Sequence, residues 1–244
     1  MEVVAGTRRV QRVRHEIKRR EVEVARVVPV GSNFVSITFT GEALEDFVSL
    51  SFDDHVKFMF ADAAGELASR DYTPRRFSNE AREVTIEFAM HSDGMAADWA
   101  RRAGVGERAI IAGPRGSMII PGDYDWYLLA GDDSALPAIA RRLEELPAGA
   151  RVSVIVAGDP GDRRAFSSQA TLDVQWVGCA DELVGAVRAL ALPAGEGFAW
   201  CAGEAVAMAQ LREVLAQEKG VPKEAMRVAA YWKRGASNHH ENLE

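Results

Sequence analysis

Arg70-Asp71-Tyr72-Thr73-Pro74-Arg75-Arg76-Phe77 carries the densest chemistry in the chain. It sets an aromatic ring and a hydroxyl among arginines. Pro74 pushes Thr73 into extended backbone and removes one amide donor. In an extended segment Arg70, Tyr72 and Pro74 share one face, and Asp71, Thr73 and Arg75 the other. A tyrosine face beside a hydroxyl and a guanidinium suits a flat ring that carries a phosphate. The ring packs on Tyr72, and an arginine takes phosphate oxygens as a bidentate fork. Solvated arginines on an exposed edge strand would account for the same composition.

Further stretches suit anionic or flat ligands. His91-Ser92-Asp93-Gly94-Met95-Ala96-Ala97-Asp98-Trp99-Ala100 reads as a cap followed by a short helix. The free N–H groups of Gly94, Met95, Ala96 and Ala97 would form an anion site at its start. Gly131-Asp132-Asp133-Ser134-Ala135-Leu136-Pro137 opens a helix with proline in its first turn. Its aspartates make it a poor pyrophosphate loop by itself, and Gly-x-Gly-x-x-Gly is absent from the chain. Asp159-Pro160-Gly161-Asp162-Arg163-Arg164 follows a strand at the place where a doubly wound sheet meets an adenosine ribose. Arg163 and Arg164 suit a 2′-phosphate, whereas Asp159 and Asp162 suit a free 2′-hydroxyl.

Two kinds of element must position these groups. From 21 to 120, apolar residues alternate in short runs: Val22 and Val24; Val35, Ile37 and Phe39; Val56, Phe58 and Phe60; Val84, Ile86 and Phe88. With glycine turns between them, they predict an antiparallel β-barrel. Beyond Pro121-Gly122-Asp123 the pattern changes. Buried strands Trp126–Ala130, Val152–Val156, Val174–Val177, Phe198–Cys201 and Val228–Trp232 alternate with helical stripes such as Leu136, Ile139, Leu143 and Leu146. That alternation predicts a doubly wound parallel α/β sheet, with ligand at the carboxyl ends of its strands. The fold class is therefore β plus α/β. The expected domains span 16–122 and 123–235, with tails at 1–15 and 236–244.

Composition narrows the function. The chain has 244 residues and a net charge of −7, which disfavours nucleic acid as a partner. The basic run Arg8–Arg20 is interrupted by Glu16 and reads as a solvated lead-in. Neither an apolar run of about 20 residues nor a signal-peptide core is present, so stable membrane insertion is not expected. Cys179 and Cys201 sit in apolar sequence without a Cys-x-x-Cys partner and read as buried thiols of a cytoplasmic protein. No metal centre is expected, and His239-His240-Glu241 reads as a polar tail.

The motifs resemble those of the siderophore-interacting branch of the ferredoxin-reductase superfamily. Arg70-x-Tyr72-Thr73 resembles the family's flavin motif, and the extension through Phe77 resembles that branch. His91, Gly94, Ala96, Ala97 and Trp99 are similar to its second flavin segment. The Gly131–Pro137 loop, Gly203-Glu204-Ala205 and Tyr231-Trp232-Lys233-Arg234-Gly235 are similar to its nicotinamide-side loops and its ending. The resemblance implies a Greek-key barrel holding FAD beside a domain that binds NADPH or NADH. Arg70, Tyr72, Thr73, Arg75, His91, Gly94, Met95, Ala96, Ala97, Trp99, Asp132, Ser134, Ala135, Gly203, Glu204, Ala205, Tyr231 and Trp232 are then the expected cofactor contacts. The implied reaction is reduction of a ferric siderophore, which releases iron because iron(II) is held less tightly by oxygen chelators. Lys57, Arg115, Lys233 and Arg234 would form a positive rim for an anionic chelate.

Other classes fit part of the same sequence. They are a reductase serving a protein or free flavin, a siderophore carrier without activity, and a nucleic-acid binder using the basic arm. A ferredoxin is the alternative electron donor.

Overall fold

The computed structural model describes residues 9–90, 94–235 and 241–242. His91, Ser92, Asp93, His239 and His240 lie outside the described residues. The first half contains β1 (Gln11–Arg14), β2 (Arg19–Val30), β3 (Phe34–Thr40), β4 (Val56–Ala61), β5 (Leu67–Tyr72), β6 (Arg76–Ser78), β7 (Glu83–Ala89), α1 (Met95–Arg102), β8 (Arg108–Ala112) and β9 (Gly116–Ile119). Seven of these strands form one antiparallel sheet in the order β5-β4-β8-β2-β3-β7-β6. The period-two pattern sends Val56, Phe58, Phe60, Val84, Ile86 and Phe88 into its interior. Trp99 of α1 completes that core, with its ring 4.8 Å from Phe58 and 6.1 Å from Phe39. Burying each such side chain stabilises the fold by about 1.5–3 kcal/mol.

The second half contains β10 (Trp126–Asp132), α2 (Leu136–Glu145), β11 (Arg151–Ala157), β12 (Thr171–Val177), α3 (Ala180–Ala189), β13 (Gly197–Glu204), α4 (Ala205–Glu213), β14 (Met226–Trp232) and β15 (Glu241–Asn242). Its strand order is β12-β11-β10-β13-β14-β15, and the first five are parallel. The helices cover both faces. Leu136, Ile139 and Leu143 of α2 pack with Leu129, Val154 and Trp200, whereas α3 and α4 pack with Leu128, Ala130 and Cys201 on the other face. Gly131 sits where β10 meets β13, and a Cβ there would stand 2.3 Å from the Ala202 carbonyl. The predicted class, barrel-like β followed by doubly wound α/β, is the observed one.

Four local expectations are corrected. The N-terminal tail was expected to run to residue 15, but β1 already pairs with β9. The basic arm is also not simply solvated: Arg9 pairs with Asp123 and Glu196, and buried Arg20 donates to Asp46. At the other end, β15 returns to pair antiparallel with β14 inside the predicted 236–244 tail. Cys201 is buried, which pushes its thiol up to about 12, but Cys179 is exposed at the start of α3.

Candidate functional site

β5 ends at Tyr72 because the backbone turns away at Thr73-Pro74-Arg75. Its register sets Tyr72 opposite Val56, Asp71 opposite Lys57 and Arg70 opposite Phe58. The Tyr72 ring lies 4.4 Å from Phe88 and meets Phe58 edge-on at 6.0 Å. Burial pushes its hydroxyl well above the ordinary phenol range. Arg70 is half-buried and donates Nη1 to the Ser69 carbonyl at 2.8 Å. It has no carboxylate partner among the described residues, and the hydroxyls of Tyr72 and Thr73 make no hydrogen bond among them. α1 begins at Met95, directly after Gly94, which has no side chain to cap it. This corner thus combines an unneutralised guanidinium, two open hydroxyls, an aromatic face and the start of α1. Those groups fit a ring-bearing phosphate ligand.

The carboxyl ends of β10, β13 and β14 are different. The Asp132 carboxylate accepts from Ser134 N at 3.0 Å, Ser134 Oγ at 2.5 Å, Glu204 N at 2.8 Å and Trp232 Nε1 at 2.9 Å. Burial pushes this carboxyl above the usual range despite those donors. Gly203 has φ +155°, and a Cβ there would stand 2.6 Å from Asp132 Oδ2. Glu204 turns back to cap α4 through Val206 N at 2.7 Å. Two strand-end loops and β14 are therefore joined through one carboxylate.

A polar seam joins the two halves. Arg75 grips Glu144 with both terminal nitrogens, at 2.7 and 2.8 Å, and Arg76 adds a third contact at 2.7 Å. The hydrogen bonds from Arg75, followed by those from Arg76, hold the Glu144 carboxyl down at about 2. Arg75 Nε also lies 3.4 Å from Glu87, which takes Arg164 Nη1 at 2.7 Å. Nearby, buried Asp53 accepts from Trp200 Nε1 at 3.0 Å, Tyr231 OH at 3.0 Å and Arg227 Nε at 2.8 Å. Asp162 is fully buried and accepts from Ser32 N, Asn33 N and Asn33 Nδ2 at 2.7–3.0 Å.

Both halves match known sequence profiles. The profile described as siderophore-interacting FAD-binding domain matches residues 23–69 and 62–118, and that described as siderophore-interacting protein matches residues 124–235. The chain belongs to the siderophore-interacting protein family. An NADPH-dependent ferric-chelate reductase of Escherichia coli is 34% identical over 91% of this chain and 96% of its own length. The ferric vibriobactin reductase ViuB of Vibrio cholerae is 27% identical over 93% and 96%. A siderophore utilization protein from T. fusca superposes with a TM-score of 0.87 at 32% identity, covering 94% of this chain and 98% of that one. FAD is the cofactor of this family's first domain, and the open corner at Arg70, Tyr72, Thr73 and α1 fits it.

The structure sets the expected contacts in different surroundings. Trp99 is a core residue of the barrel, and Ala135 is fully buried. Arg75 is committed to Glu144 and Glu87, whose carboxylates neutralise its nearly buried guanidinium. Arg164 donates Nη1 to Glu87 and lies over the Phe34 ring, while its Nε and Nη2 make no hydrogen bond among the described residues. Asp162 ties the seam rather than facing a ribose. Arg163 stays exposed, and Asp159 accepts from Gly161 N at 2.7 Å. Asp132, Ser134, Gly203, Glu204, Ala205, Tyr231 and Trp232 do gather at one sheet edge. Lys57 pairs with Asp71 at 2.8 Å, and Arg115, Lys233 and Arg234 are exposed. The predicted role of His91 lies outside the described residues.

Sequence reasoning missed Asp53, Glu87, Arg141 and Glu144. Arg141 and Arg142 lie on the polar side of an amphipathic stripe, which reads as a wet face, yet both are buried. Paired arginines followed closely by paired glutamates were the available signal.

Proposed function

We propose that this protein is an NADPH-dependent flavoprotein that reduces ferric siderophore complexes and releases their iron as iron(II) inside the cell. The carrying observation is the open corner at Arg70, Tyr72 and Thr73, set against a parallel-sheet edge in a chain of this family. Arg70 and the α1 start hold the diphosphate of FAD, with Met95, Ala96 and Ala97 supplying amides. Tyr72 and Thr73 orient its ring. Bound FAD supplies the step from a two-electron donor to a one-electron acceptor. The protein holds the partners at reacting distance and excludes water. Ser134, Glu204, Ala205 and Trp232 border the place of the nicotinamide. Of the two candidate arginines, the exposed Arg163 is assigned to the 2′-phosphate. Lys57, Arg115, Lys233 and Arg234 attract an anionic chelate that the overall charge of −7 would repel. The cytoplasm supplies NADPH and suits two unpaired cysteines. No helix among the described residues is long and apolar enough to cross a membrane.

A second reading, with a ferredoxin as electron donor, draws on the nicotinamide-side loops. Their amides at Ser134, Glu204, Val206 and Ala207 are already taken by Asp132 and Glu204. One experiment tests both readings. The FAD-loaded protein is mixed anaerobically with NADPH or with reduced ferredoxin. Flavin bleaching is followed, then a ferric siderophore is added with an iron(II) trap. Bleaching by NADPH and chelate-dependent trapping are expected. Bleaching by ferredoxin alone would move the donor to the second reading, and a bleached flavin that no ferric chelate reoxidises would defeat the function.

A further inference from the structure

The Arg70–Phe77 motif is divided in two. Its first half, Arg70 to Thr73, faces the proposed flavin corner. Its second half is held by a single turn of α2. Arg141 Nη1 donates to the Pro74 carbonyl at 2.9 Å and to Ser49 Oγ at 2.8 Å, while Nη2 reaches the Ser49 carbonyl at 3.0 Å. Glu144 takes Arg75 and Arg76, and the Arg141 guanidinium lies over the Phe77 ring at 5.9 Å. Four successive residues after Thr73 are thus gripped by residues 141–144. The opposite end of α2 begins at the Asp132–Ser134 loop, among the nicotinamide-side strand ends. Ten helical residues make a rod of about 15 Å, and its apolar side is fixed to the sheet by Leu136, Ile139 and Leu143.

We infer that the Arg141–Glu145 turn is a positioning element that sets the flavin-side loop against the nicotinamide-side strand ends. The inference rests on the reading that Tyr72 and Thr73 hold the flavin. Its physical basis is stiffness: a helix does not bend appreciably over this length, so a group held at one end is placed relative to a group at the other. Spacing between reacting partners matters steeply, since a misplacement of about 1 Å can cost about 100-fold in rate. Arg141 and Glu144 touch neither partner themselves and act through Pro74, Arg75 and Arg76. FAD bound on one side of this grip should therefore steady α2 on the other.

The test uses the full chain, with and without FAD, as wild type, Glu144→Gln, Arg141→Met, Arg9→Ala and Tyr72→Ala. Three quantities are read: FAD affinity by fluorescence titration, amide hydrogen exchange across residues 136–146, and the limiting rate of anaerobic flavin bleaching by NADPH. In wild type, FAD should slow exchange in α2. Glu144→Gln should keep FAD affinity within about threefold, abolish that protection and lower the limiting rate about tenfold. Arg141→Met should act in the same direction, and Glu144→Gln carries the test alone if Arg141→Met does not fold. Arg9→Ala loosens a remote contact between the two halves and should change neither protection nor rate. Weaker FAD binding with an unchanged rate in the loaded fraction would make the turn a mere support of the flavin site and overturn the inference. Equal effects of Glu144→Gln and Arg9→Ala would reduce it to general loosening and overturn it too. Full FAD retention by Tyr72→Ala would instead remove the flavin reading on which it stands.

Discussion

The proposed flavin corner and the proposed nicotinamide-side edge treat their polar groups in opposite ways. Around Arg70, Tyr72, Thr73 and the α1 start, donors and a positive charge are left open to a ligand. Around Asp132, Gly203, Glu204 and Trp232, donors are closed by the protein's own carboxylates. An unsatisfied, partly desolvated cation favours an anion that stays bound. A saturated edge favours a ligand that visits, because each amide it needs must first be released from an existing bond. The difference matches a resident flavin and a transient nicotinamide, and it places the cost of an empty site on the flavin side.

The largest effect should come from closing the open side. Arg70→Ala combined with Tyr72→Ala removes the charge and the ring face together and should weaken FAD by roughly 100-fold, as two strong contacts would give. The ratio of visible to protein absorbance after purification measures this. A double variant that keeps its full yellow cofactor would break the comparison at its first term.

Opening the closed side is the complementary change. Asp132→Ala leaves donors from Ser134, Glu204 and Trp232 without their acceptor and should cost about 3 kcal/mol of stability. Thermal unfolding reads the loss, and FAD content should persist because the flavin corner is untouched. Unchanged stability would mean that the closed edge is not held by this carboxylate.

Next comes the rim. Lys57→Ala with Arg115→Ala should raise KM for an anionic ferric siderophore about tenfold, as two exposed contacts at the upper end of their range would give. A neutral siderophore should be spared, and added salt should shrink the difference. Equal losses for both substrates would point to shape instead of charge.

The smallest effect concerns the seam between the two regions. The Glu144 carboxyl sits at about 2, depressed below its unfolded value. Its contribution is therefore present in full above the unfolded carboxylate range near 4.3 and is lost as pH falls toward 2. The gap in melting temperature between wild type and Glu144→Gln should be constant above about pH 6 and close progressively below pH 4. A gap independent of pH would show that the charge on Glu144 does not matter.

Much of this was legible in the sequence because the signals were local. Period-two runs such as Val84, Ile86 and Phe88 specify a strand with one buried face, and Leu136, Ile139 and Leu143 specify a helix with one buried stripe. Arg70, Tyr72 and Thr73 could be singled out because their types suit one ligand. The seam was not legible. Asp53 reads as a turn residue and Arg141 as a solvated helix charge, since contacts between two domains obey no periodicity along either. The surroundings of Arg164 and Asp162 were hidden for a related reason. Both have the right chemistry for a nucleotide, but the partner that each meets, Glu87 or the Ser32-Asn33 turn, lies more than 70 residues away in sequence.

Asp53 also limits how freely these two domains can be exchanged. It is a residue of the barrel half, yet its buried carboxylate is satisfied wholly from the other half, by Trp200, Arg227 and Tyr231. A chimera that joins this α/β half to a barrel lacking a carboxylate at that place would strand an arginine, an indole and a phenol without their common acceptor. Joining this barrel to a foreign α/β half would strand the aspartate instead. The two halves can be recombined only as a matched set, and the junction near residue 122, where the chain passes from one to the other, is not where their dependence lies.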